Sequence, residues 1–548
     1  MSLPSWMQHL ILVPVLLPLL CGALLLPLNE SHHRLKYGVN FASVLGLLAT
    51  ALVLMGMADG EQWPTGIGVY LAANWAAPFG IALVADRLAA LMLLLAAVLA
   101  LAALVYSAQR WSRVGVHFHS LFQFLLMGVN GAFLTHDLFN LFVFFEVMLA
   151  ASYGLLLHGY NTTRIRAGLQ YIAVNLAASL FFLIGTALIY ASTGTLNMAD
   201  LAVRVPALTG TDVVLLEVGV AVLAIAFLVK SAMWPLGFWL PTTYAAASPP
   251  VAAMLVLMTK VGAYAILRLW LLLFSDEAGA AAGFGYEALL WGGMATILFG
   301  AAGLLASEVP GRLAGYGAIV SSGTLLAVVG YGQPALVTAG LYYLLGSTMA
   351  MAAFMLLIEL IERIRSPGAA LLAVTMEAFA IEEKPDEPVG VGIPGALAFL
   401  GLAFAGCALI IAGLPPLSGF VAKFGLFHAL LNWGPDAAVT PYSWALMGLI
   451  LFSGLAAIIA LMRFGVRTFW AAGAVMPPRL QPTEVLPVGL LLLLCVGLTV
   501  AAGPVFGYLE RTSADLHRPG QYIDSVLSAP VVPGVAGGRA ANVPEVGQ

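Results

Sequence analysis

The chain is poor in charge and in cysteine. Only 9% of its 548 residues are Asp, Glu, Lys or Arg, against about 25% in an ordinary soluble domain. The 22 basic and 26 acidic residues nearly balance, which excludes a basic surface for nucleic acid. Cys21, Cys407 and Cys495 lie singly in apolar runs, which excludes a disulfide framework and a CxxC or metal-cluster motif. Hydrophobic residues make up 61% of the chain, and this composition indicates an integral membrane protein.

Apolar runs that can cross a bilayer recur about fourteen times, since each crossing needs about 20 mainly apolar residues. Their centres lie near residues 18, 46, 95, 124, 148, 179, 222, 261, 296, 322, 348, 403, 453 and 496, with a continuation of the twelfth run near 425. The first run lacks a basic leader and a cleavage site, so we expect it to be retained. The segment from about Glu510 to Gln548 is rich in Pro, Gly, Val and Ala, and we expect it to be poorly ordered.

Basic residues gather in every second connection between these runs. Thirteen of the 22 follow odd-numbered spans: Arg34, Lys36, Arg110, Arg113, Arg164, Arg166, Arg312, Arg363, Arg365, Lys384, Arg463, Arg467 and Arg479. Those clearly on the other side are Arg204, Arg511, Arg518 and Arg539. Because cytoplasmic connections carry the excess of Lys and Arg, odd spans run inward and both termini lie on the outer, periplasmic side.

Four ionisable residues lie inside apolar helical runs: Glu146, Lys230, Lys260 and Lys423. Each costs about 2.5 to 3.5 kcal/mol at the bilayer centre unless it faces a hydrated interior or a partner. A buried pair that only joins helices is the alternative reading. Burial favours neutral lysine and a nearby carboxylate favours charged lysine, so a Glu facing a Lys can move a proton. Asp86 and Arg87 lie at the outer start of span three, where local pairing or snorkelling to the membrane surface explains both charges without a function.

Prolines interrupt two of the helices that carry lysines. Pro235 follows Lys230 within two turns, and Pro415 with Pro416 precedes Lys423. Proline removes a backbone donor and crowds the preceding turn, so both helices should break at these points. Broken backbone at membrane depth is tolerated where protein or water satisfies its polar groups. Two interrupted segments in corresponding halves are typical of an inverted-repeat transporter.

Four segments carry a family resemblance: NWAAPFGIALVADRLAALM, HDLFNLFVFFEVMLAASYGLLLHG, KSAMWPLGFWLPTTYAAASPPVAAMLVLMTKVGAYAILRL and GLPPLSGFVAKFGLF. They resemble the antiporter-like membrane subunits shared by Mrp-type multisubunit cation/proton antiporters and by respiratory complex I, and they are most similar to the D-type Mrp subunits. The resemblance implies an all-α fold of about fourteen transmembrane helices with two inverted five-helix repeats and broken helices 7 and 12. It implies segments 1–110 (helices 1–3), 111–275 (first repeat), 284–466 (second repeat) and 467–548 (helix 14 and tail).

The resemblance also implies roles for the intramembrane charges. Glu146 matches the family's glutamate on helix 5, Lys230 its partner on helix 7, Lys260 the relay on helix 8 and Lys423 the charged residue on helix 12. Gly237 and Tyr244 replace histidines of the complex I relatives, and Gly346, Ser347 and Met351 replace further titratable residues. Few titratable side chains are therefore expected between Lys260 and Lys423. Water and three hydroxyl side chains are the candidate bridges between them: Ser321, Ser322 and Thr348.

The predicted function is that of a membrane subunit of a Na⁺ (or K⁺ or Li⁺)/proton antiporter in a bacterial plasma membrane. Its expected partners are subunits of types A, B, C, E, F and G, with no cofactor, metal or nucleic acid. Asp86, Asp137, Thr348 and Ser321 are candidate accessory residues, and Asp137, Glu217 and Glu359 are either ion ligands or helix-end charges, the latter being favoured. Two alternatives stay open: a proton-pumping subunit of a quinone oxidoreductase, and a scaffold that carries no ions.

Overall fold

Helices dominate the computed structural model, which describes residues 5–60, 62–63, 65–159, 161–365, 395–431, 439–469 and 478–531. Twelve helices in these ranges are long and apolar enough to cross a membrane, and three further apolar helices are shorter. One short helix, Ser418–Leu431, continues a broken helix that begins at Gly395. The described residues therefore contain fourteen crossings, as the sequence predicts.

We number the crossings α1 to α14 in chain order. The first seven are α1 Val13–Leu25, α2 His33–Asp59, α3 Arg87–Ser107, α4 Phe118–Leu134, α5 Leu138–Leu157, α6 Thr162–Thr193 and α7, made of Thr211–Lys230 and Leu240–Ala246. The other seven are α8 Pro249–Leu273, α9 Tyr286–Ala306, α10 Pro310–Tyr331, α11 Pro334–Glu362, α12, made of Gly395–Ala412 and Ser418–Leu431, α13 Pro441–Phe469 and α14 Pro482–Val500. Short helices also form at Ser5–Gln8 and Met198–Arg204.

The core of the bundle lies around α8, α10 and α11. Every residue of α8 after Pro249 is buried, and α10 and α11 are buried along most of their length. A helix that is apolar on all sides belongs in such a position, surrounded by other helices. By contrast, α6 and α14 leave much of their apolar surface exposed, at the periphery where lipid or other protein covers it.

A β-hairpin follows α2, and the all-α prediction did not include it. Strand β1, Gly68–Leu71, pairs antiparallel with β2, Ala82–Ala85, and Val69 lies opposite Val84. The strands have only four residues each, too few for an alternating pattern to stand out in an apolar chain. The hairpin occupies the long connection between α2 and α3.

The segment after α14 is ordered over its first part, so the prediction of a poorly ordered tail from Glu510 was wrong there. Two helices follow, α15 Ala502–Leu516 and α16 Pro519–Leu527. They bury Tyr508, Leu509 and Tyr522 against the bundle. Apolar residues at helical spacing hold these short helices against the bundle. The Pro and Gly content of the wider segment makes that spacing hard to recognise in the sequence. Residues 532–548 lie outside the described residues.

Ion pairs gather at the two ends of the bundle. At one end Arg110 and Arg363 both contact Glu359, which makes that carboxylate a helix-end charge, and Arg363 also binds Glu484. Lys384 and the acidic residues of the long connection before α12 lie outside the described residues. These pairs join α11 to the connection after α3 and to the start of α14.

At the other end the predicted local pair of Asp86 with Arg87 does not form. Arg87 instead binds Asp59 and Asp515, while Asp86 binds Arg268 of α8. Asp86 caps the first turn of α3 by accepting from the Ala89 N–H, which turns its carboxylate towards the bundle and away from its neighbour. Pairing Asp86 with Arg87 because they are adjacent in the sequence was therefore wrong for both residues.

Candidate functional site

The break in α7 lies directly after Lys230. The first segment of α7 ends at this residue, the Trp234–Pro235 peptide bond is cis, and helical structure resumes at Leu240. The freed backbone N–H of Trp234 donates to the Thr296 hydroxyl of α9 at 2.9 Å. A neighbouring helix thus satisfies the polar group that the break exposes, as membrane depth requires.

Lys230 is buried and binds an amide of α6. Its Nζ donates to Asn175 Oδ1 at 2.7 Å, and only 6% of the residue is exposed. Gly262 of α8 faces it, where a Cβ would lie 2.9 Å from the Lys230 Cβ. The lysine is therefore enclosed by α6 and α8, with its ammonium directed at α6.

Glu146 lies on α5 and also binds a residue of α6. Its carboxylate accepts a short hydrogen bond from the Ser179 hydroxyl. No ion pair between Glu146 and Lys230 occurs among the described residues, so the two predicted partners are not in direct contact in this structure, and their joint role in ion exchange stays a prediction. Helix α6 packs against both α5 and α7, and each charged group binds a polar side chain of α6 instead.

Lys260 lies on the unbroken α8, at the centre of the bundle. Its Nζ donates to Ser321 Oγ of α10 at 2.7 Å. The Ser321 hydroxyl in turn lies 2.9 Å from the Ser347 hydroxyl of α11. The lysine and two serines thus form a continuous hydrogen-bonded chain across three helices.

Lys423 lies in the second segment of α12, after the break that contains the cis Pro415–Pro416 bond. Its Nζ donates to the backbone carbonyl of Ala412, the last residue of the first segment, at 2.7 Å. A cavity with room for one water molecule joins it to the chain from Lys260, and its polar lining consists of Ser321, Tyr343, Ser347, Lys423 and Ser453.

The other predicted accessory residues lie apart from this network. Thr348 donates to the Leu344 carbonyl of its own helix, and Asp137 caps α5 by accepting from the Asn140 N–H at 2.8 Å. Ser322 is buried, and its hydroxyl has no hydrogen-bond partner among the described residues. These positions follow from helix rotation, because Ser321 and Ser322 project about 100° apart.

Asp86 forms a buried two-point contact with Arg268, one bond of which joins Oδ1 to Nη2 at 2.9 Å. Burial by itself raises the pKa of Asp86, but the Arg268 guanidinium outweighs burial and lowers that pKa to about 2. The carboxylate is therefore charged at any pH at which a cell works. This geometry is typical of a structural ion pair.

No group of three or more His, Cys, Asp or Glu side chains in the described part of the chain is arranged to hold a metal ion. The chemistry that the network offers is that of amines, hydroxyls, one carboxylate and one amide. The amines, the hydroxyls and the carboxylate can bind and pass protons along hydrogen-bonded chains at membrane depth, and the amide can accept a hydrogen bond from a charged donor.

Comparisons with known proteins agree on one family. The family described as NADH:quinone oxidoreductase/Mrp antiporter, TM, matches residues 135–381. The D-type subunit of a probable K⁺/H⁺ antiporter of Rhizobium meliloti is 54% identical over 532 residues, covering 96% of this chain and 99% of the relative. The chain belongs to the family of D-type antiporter subunits.

More distant members support the same assignment. The D-type subunit of the Na⁺/H⁺ antiporter of Alkalihalophilus pseudofirmus is 33% identical over 534 residues, covering 95% of this chain and all of the relative. A chain of the Mrp complex from Dietzia sp. DQ12-45-1b has a TM-score of 0.79 and 27% identity, covering 96% of this chain and 100% of that chain. The likeness to D-type antiporter subunits therefore extends over nearly the whole chain.

Sequence reasoning missed two polar residues of this candidate site, Asn175 and Ser179. Both lie in an apolar helix, one turn apart. A pair of polar residues at this spacing shares one helix face, and that signal is legible in the sequence. The structure also adds Ser347 to the network. From the sequence, Ser347 is recognised only as a replacement for a titratable residue of the relatives.

Proposed function

We propose that this chain is the D-type membrane subunit of a multisubunit monovalent cation/proton antiporter. The observation that carries the proposal is the placement of three buried lysines, each with its Nζ on an oxygen acceptor, at two broken helices and on the unbroken α8. Charges in this position are costly and are typical of ion and proton pathways. An antiporter is a secondary transporter, so no reaction other than ion exchange is proposed for it.

The proposed proton route begins at Glu146 and Lys230 and continues to Lys260. From Lys260 it follows Ser321 and Ser347 into the cavity at Lys423. Hydroxyls can accept one proton while donating another, so the two serines can replace the titratable side chains that relatives carry. Among the accessory residues we assign Ser321 to this route, and we assign Asp86, Asp137 and Thr348 to structural roles.

The proposed cation is Na⁺, K⁺ or Li⁺, with K⁺ tested first because the relative with 54% identity is named as part of a probable K⁺/H⁺ antiporter. The proposed setting is the plasma membrane of a bacterium, with both termini on the periplasmic side and with subunits of types A, B, C, E, F and G as partners. The proposed architecture retains inverted repeats at 111–275 and 284–466, between a first segment, 1–110, and a last segment, 467–548.

The test uses inverted membrane vesicles from cells that express the whole gene cluster, energised by respiration, with a fluorescent dye that reports the pH gradient. Adding K⁺, Na⁺ or Li⁺ should collapse part of the gradient. Glu146→Gln should abolish this response without lowering the amount of assembled complex, because the carboxyl proton site is lost. Glu287→Gln is the matched control, since Glu287 is exposed in the first turn of α9. A normal response in Glu146→Gln contradicts the proposed role.

The second candidate is a proton-pumping subunit of a quinone oxidoreductase, which the description of the matching family also names. In that case cations leave the gradient unchanged, and quinone reduction builds a gradient that is lost when this chain is deleted. Full exchange by a Lys230→Ala, Lys423→Ala double variant indicates a scaffold instead. The same vesicles therefore separate all three functions.

A further inference from the structure

Helix α6 contributes the two polar side chains that bind Glu146 and Lys230. Asn175 is fully buried and binds Lys230, and Ser179, one turn further along α6, binds Glu146. Because α6 packs against both α5 and α7, one face of α6 holds both the carboxylate and the ammonium. Asn175 and Ser179 therefore determine how the two charged groups approach each other.

The orientation of the Asn175 amide is fixed by its own helix. Its Nδ2 donates to the Tyr171 backbone carbonyl at 2.7 Å, which leaves Oδ1 directed at the Lys230 ammonium. An amide oxygen accepts a hydrogen bond but holds no exchangeable proton of its own. Asn175 accepts one of the three N–H donors of the Lys230 ammonium and so holds that group against α6.

Ser179 has one hydroxyl hydrogen and two acceptors within reach. One acceptor is the Glu146 carboxylate, and the other is the backbone carbonyl of Asn175 at 3.1 Å. A serine in a helix readily returns its hydrogen bond to the carbonyl one turn earlier. Ser179 can therefore release Glu146 without leaving a buried donor unsatisfied.

Close packing fixes the position of this face relative to α7. A Cβ at Gly185 of α6 would lie 2.5 Å from the Leu223 backbone nitrogen of α7, so the two backbones touch. The rings of Phe145, Phe182 and Phe227, one from each of the three helices, pack with centroids 5.3 to 5.8 Å apart. This rigid, dry contact adjoins the polar pair and leaves little freedom for α6 to rotate.

We propose that Asn175 and Ser179 are positioning residues that hold Lys230 and Glu146 in separate hydrogen-bonded places and set the rate at which the two meet. The proposal rests on the proposed function. The structure represents the separated state, in which each charged group has a neutral partner on α6. Contact between them requires the Lys230 ammonium to move towards the Glu146 carboxylate, and the hydrogen bond to Asn175 restrains that movement.

The first experiment separates the chemistry of position 175 from its shape. Asn175→Leu keeps the approximate volume and removes the acceptor, whereas Asn175→Gln keeps the amide. In the vesicle assay we expect Asn175→Leu to lower the maximal exchange rate about tenfold or more, as befits loss of a hydrogen bond to a charged group. The half-saturating cation concentration should stay within about twofold, because cation binding is not the affected step. Asn175→Gln should exceed Asn175→Leu in rate.

Hydroxyl variants of α6 provide the matched control. Ser179→Ala should lower the maximal rate and Ser179→Thr should restore it. Thr186→Val should leave the rate unchanged, because the Thr186 hydroxyl binds the Phe182 carbonyl of its own helix and no other group in the described part of the chain. A parental rate in Asn175→Leu, or equal losses in Asn175→Leu and Asn175→Gln at full assembly, overturns the proposal.

The second experiment does not depend on transport. Cryo-electron microscopy of the purified parental and Asn175→Leu complexes should show the Lys230 ammonium moved from α6 to Glu146 in the variant. An unmoved ammonium overturns the positioning role. If the parental vesicles show no cation response, the proposed function fails, and this structural comparison still decides the role of Asn175.

Discussion

The Nζ atom of Lys423 lies 2.7 Å from the carbonyl oxygen of Ala412, across the break in α12. The last carbonyls of any helix lack partners within that helix, and the negative end of its dipole attracts a cation. Lys423 thus caps the half-helix that precedes it. The break and the lysine are one unit, because the break supplies the acceptor that makes the buried amine tolerable.

We expect Gly454→Ala on α13 to displace the Lys423 ammonium. A Cβ at position 454 would lie 2.8 Å from Lys423 Nζ and 2.9 Å from the Ala412 oxygen, so the flexible end of the lysine must move. Loss of a hydrogen bond to a charged group should lower the exchange rate about tenfold, measured by the vesicle assay. Gly448→Ala on the same helix is the control, because a Cβ there meets nothing within 4 Å. Equal rates in the two variants contradict this assignment.

Ser321→Ala should interrupt the chain between Lys260 and Ser347. The variant removes the acceptor of Lys260 and leaves its ammonium without that partner at the centre of the bundle. We expect a fall in exchange rate of about tenfold or more, with the amount of assembled complex unchanged. Ser322→Ala removes a buried hydroxyl that has no partner among the described residues, so it should keep the parental rate. A reduced exchange rate in Ser322→Ala, together with the parental rate in Ser321→Ala, would contradict the proposed route.

Asp86→Asn should destabilise the protein more than Asp59→Asn does. Removing one member of a buried ion pair leaves Arg268 uncompensated, at a cost of about 3 to 5 kcal/mol. Asp59 is partly exposed where it binds Arg87 and Arg511, and its loss should cost about 1 kcal/mol or less. Thermal unfolding of the purified complex measures the difference, and similar losses would contradict a structural role for Asp86.

The Asp86–Arg268 pair also predicts how the stability of the protein depends on pH. The pKa of Asp86 falls from an ordinary 3.8 to about 2, so the stability that the pair contributes is present above the ordinary pKa and is lost as pH falls through about 2. Between about pH 5 and 9 the difference in unfolding temperature between the parent and Asp86→Asn should therefore be constant. A difference that changes across this interval would show that another group titrates with the pair.

The sequence by itself determined the number and location of the crossings, because an apolar run in lipid must satisfy its backbone as a helix. It also located the breaks near Lys230 and Lys423, where a proline removes a backbone donor close to a buried charge, whereas Pro18 and Pro487 lie inside unbroken helices. Prediction missed the β1–β2 hairpin and the helices α15 and α16. Their periodic patterns are short and lie within connecting segments of mixed composition.

Only the tertiary structure decided which side chains meet. Asp86 pairs with Arg268, 182 residues away, and Lys230, whose predicted partner is Glu146, donates to Asn175 of α6. Such partners depend on the rotation of each helix and on which helix lies between two others. Those quantities arise from the packing of all helices together, where a single glycine such as Gly185 decides how closely two backbones approach.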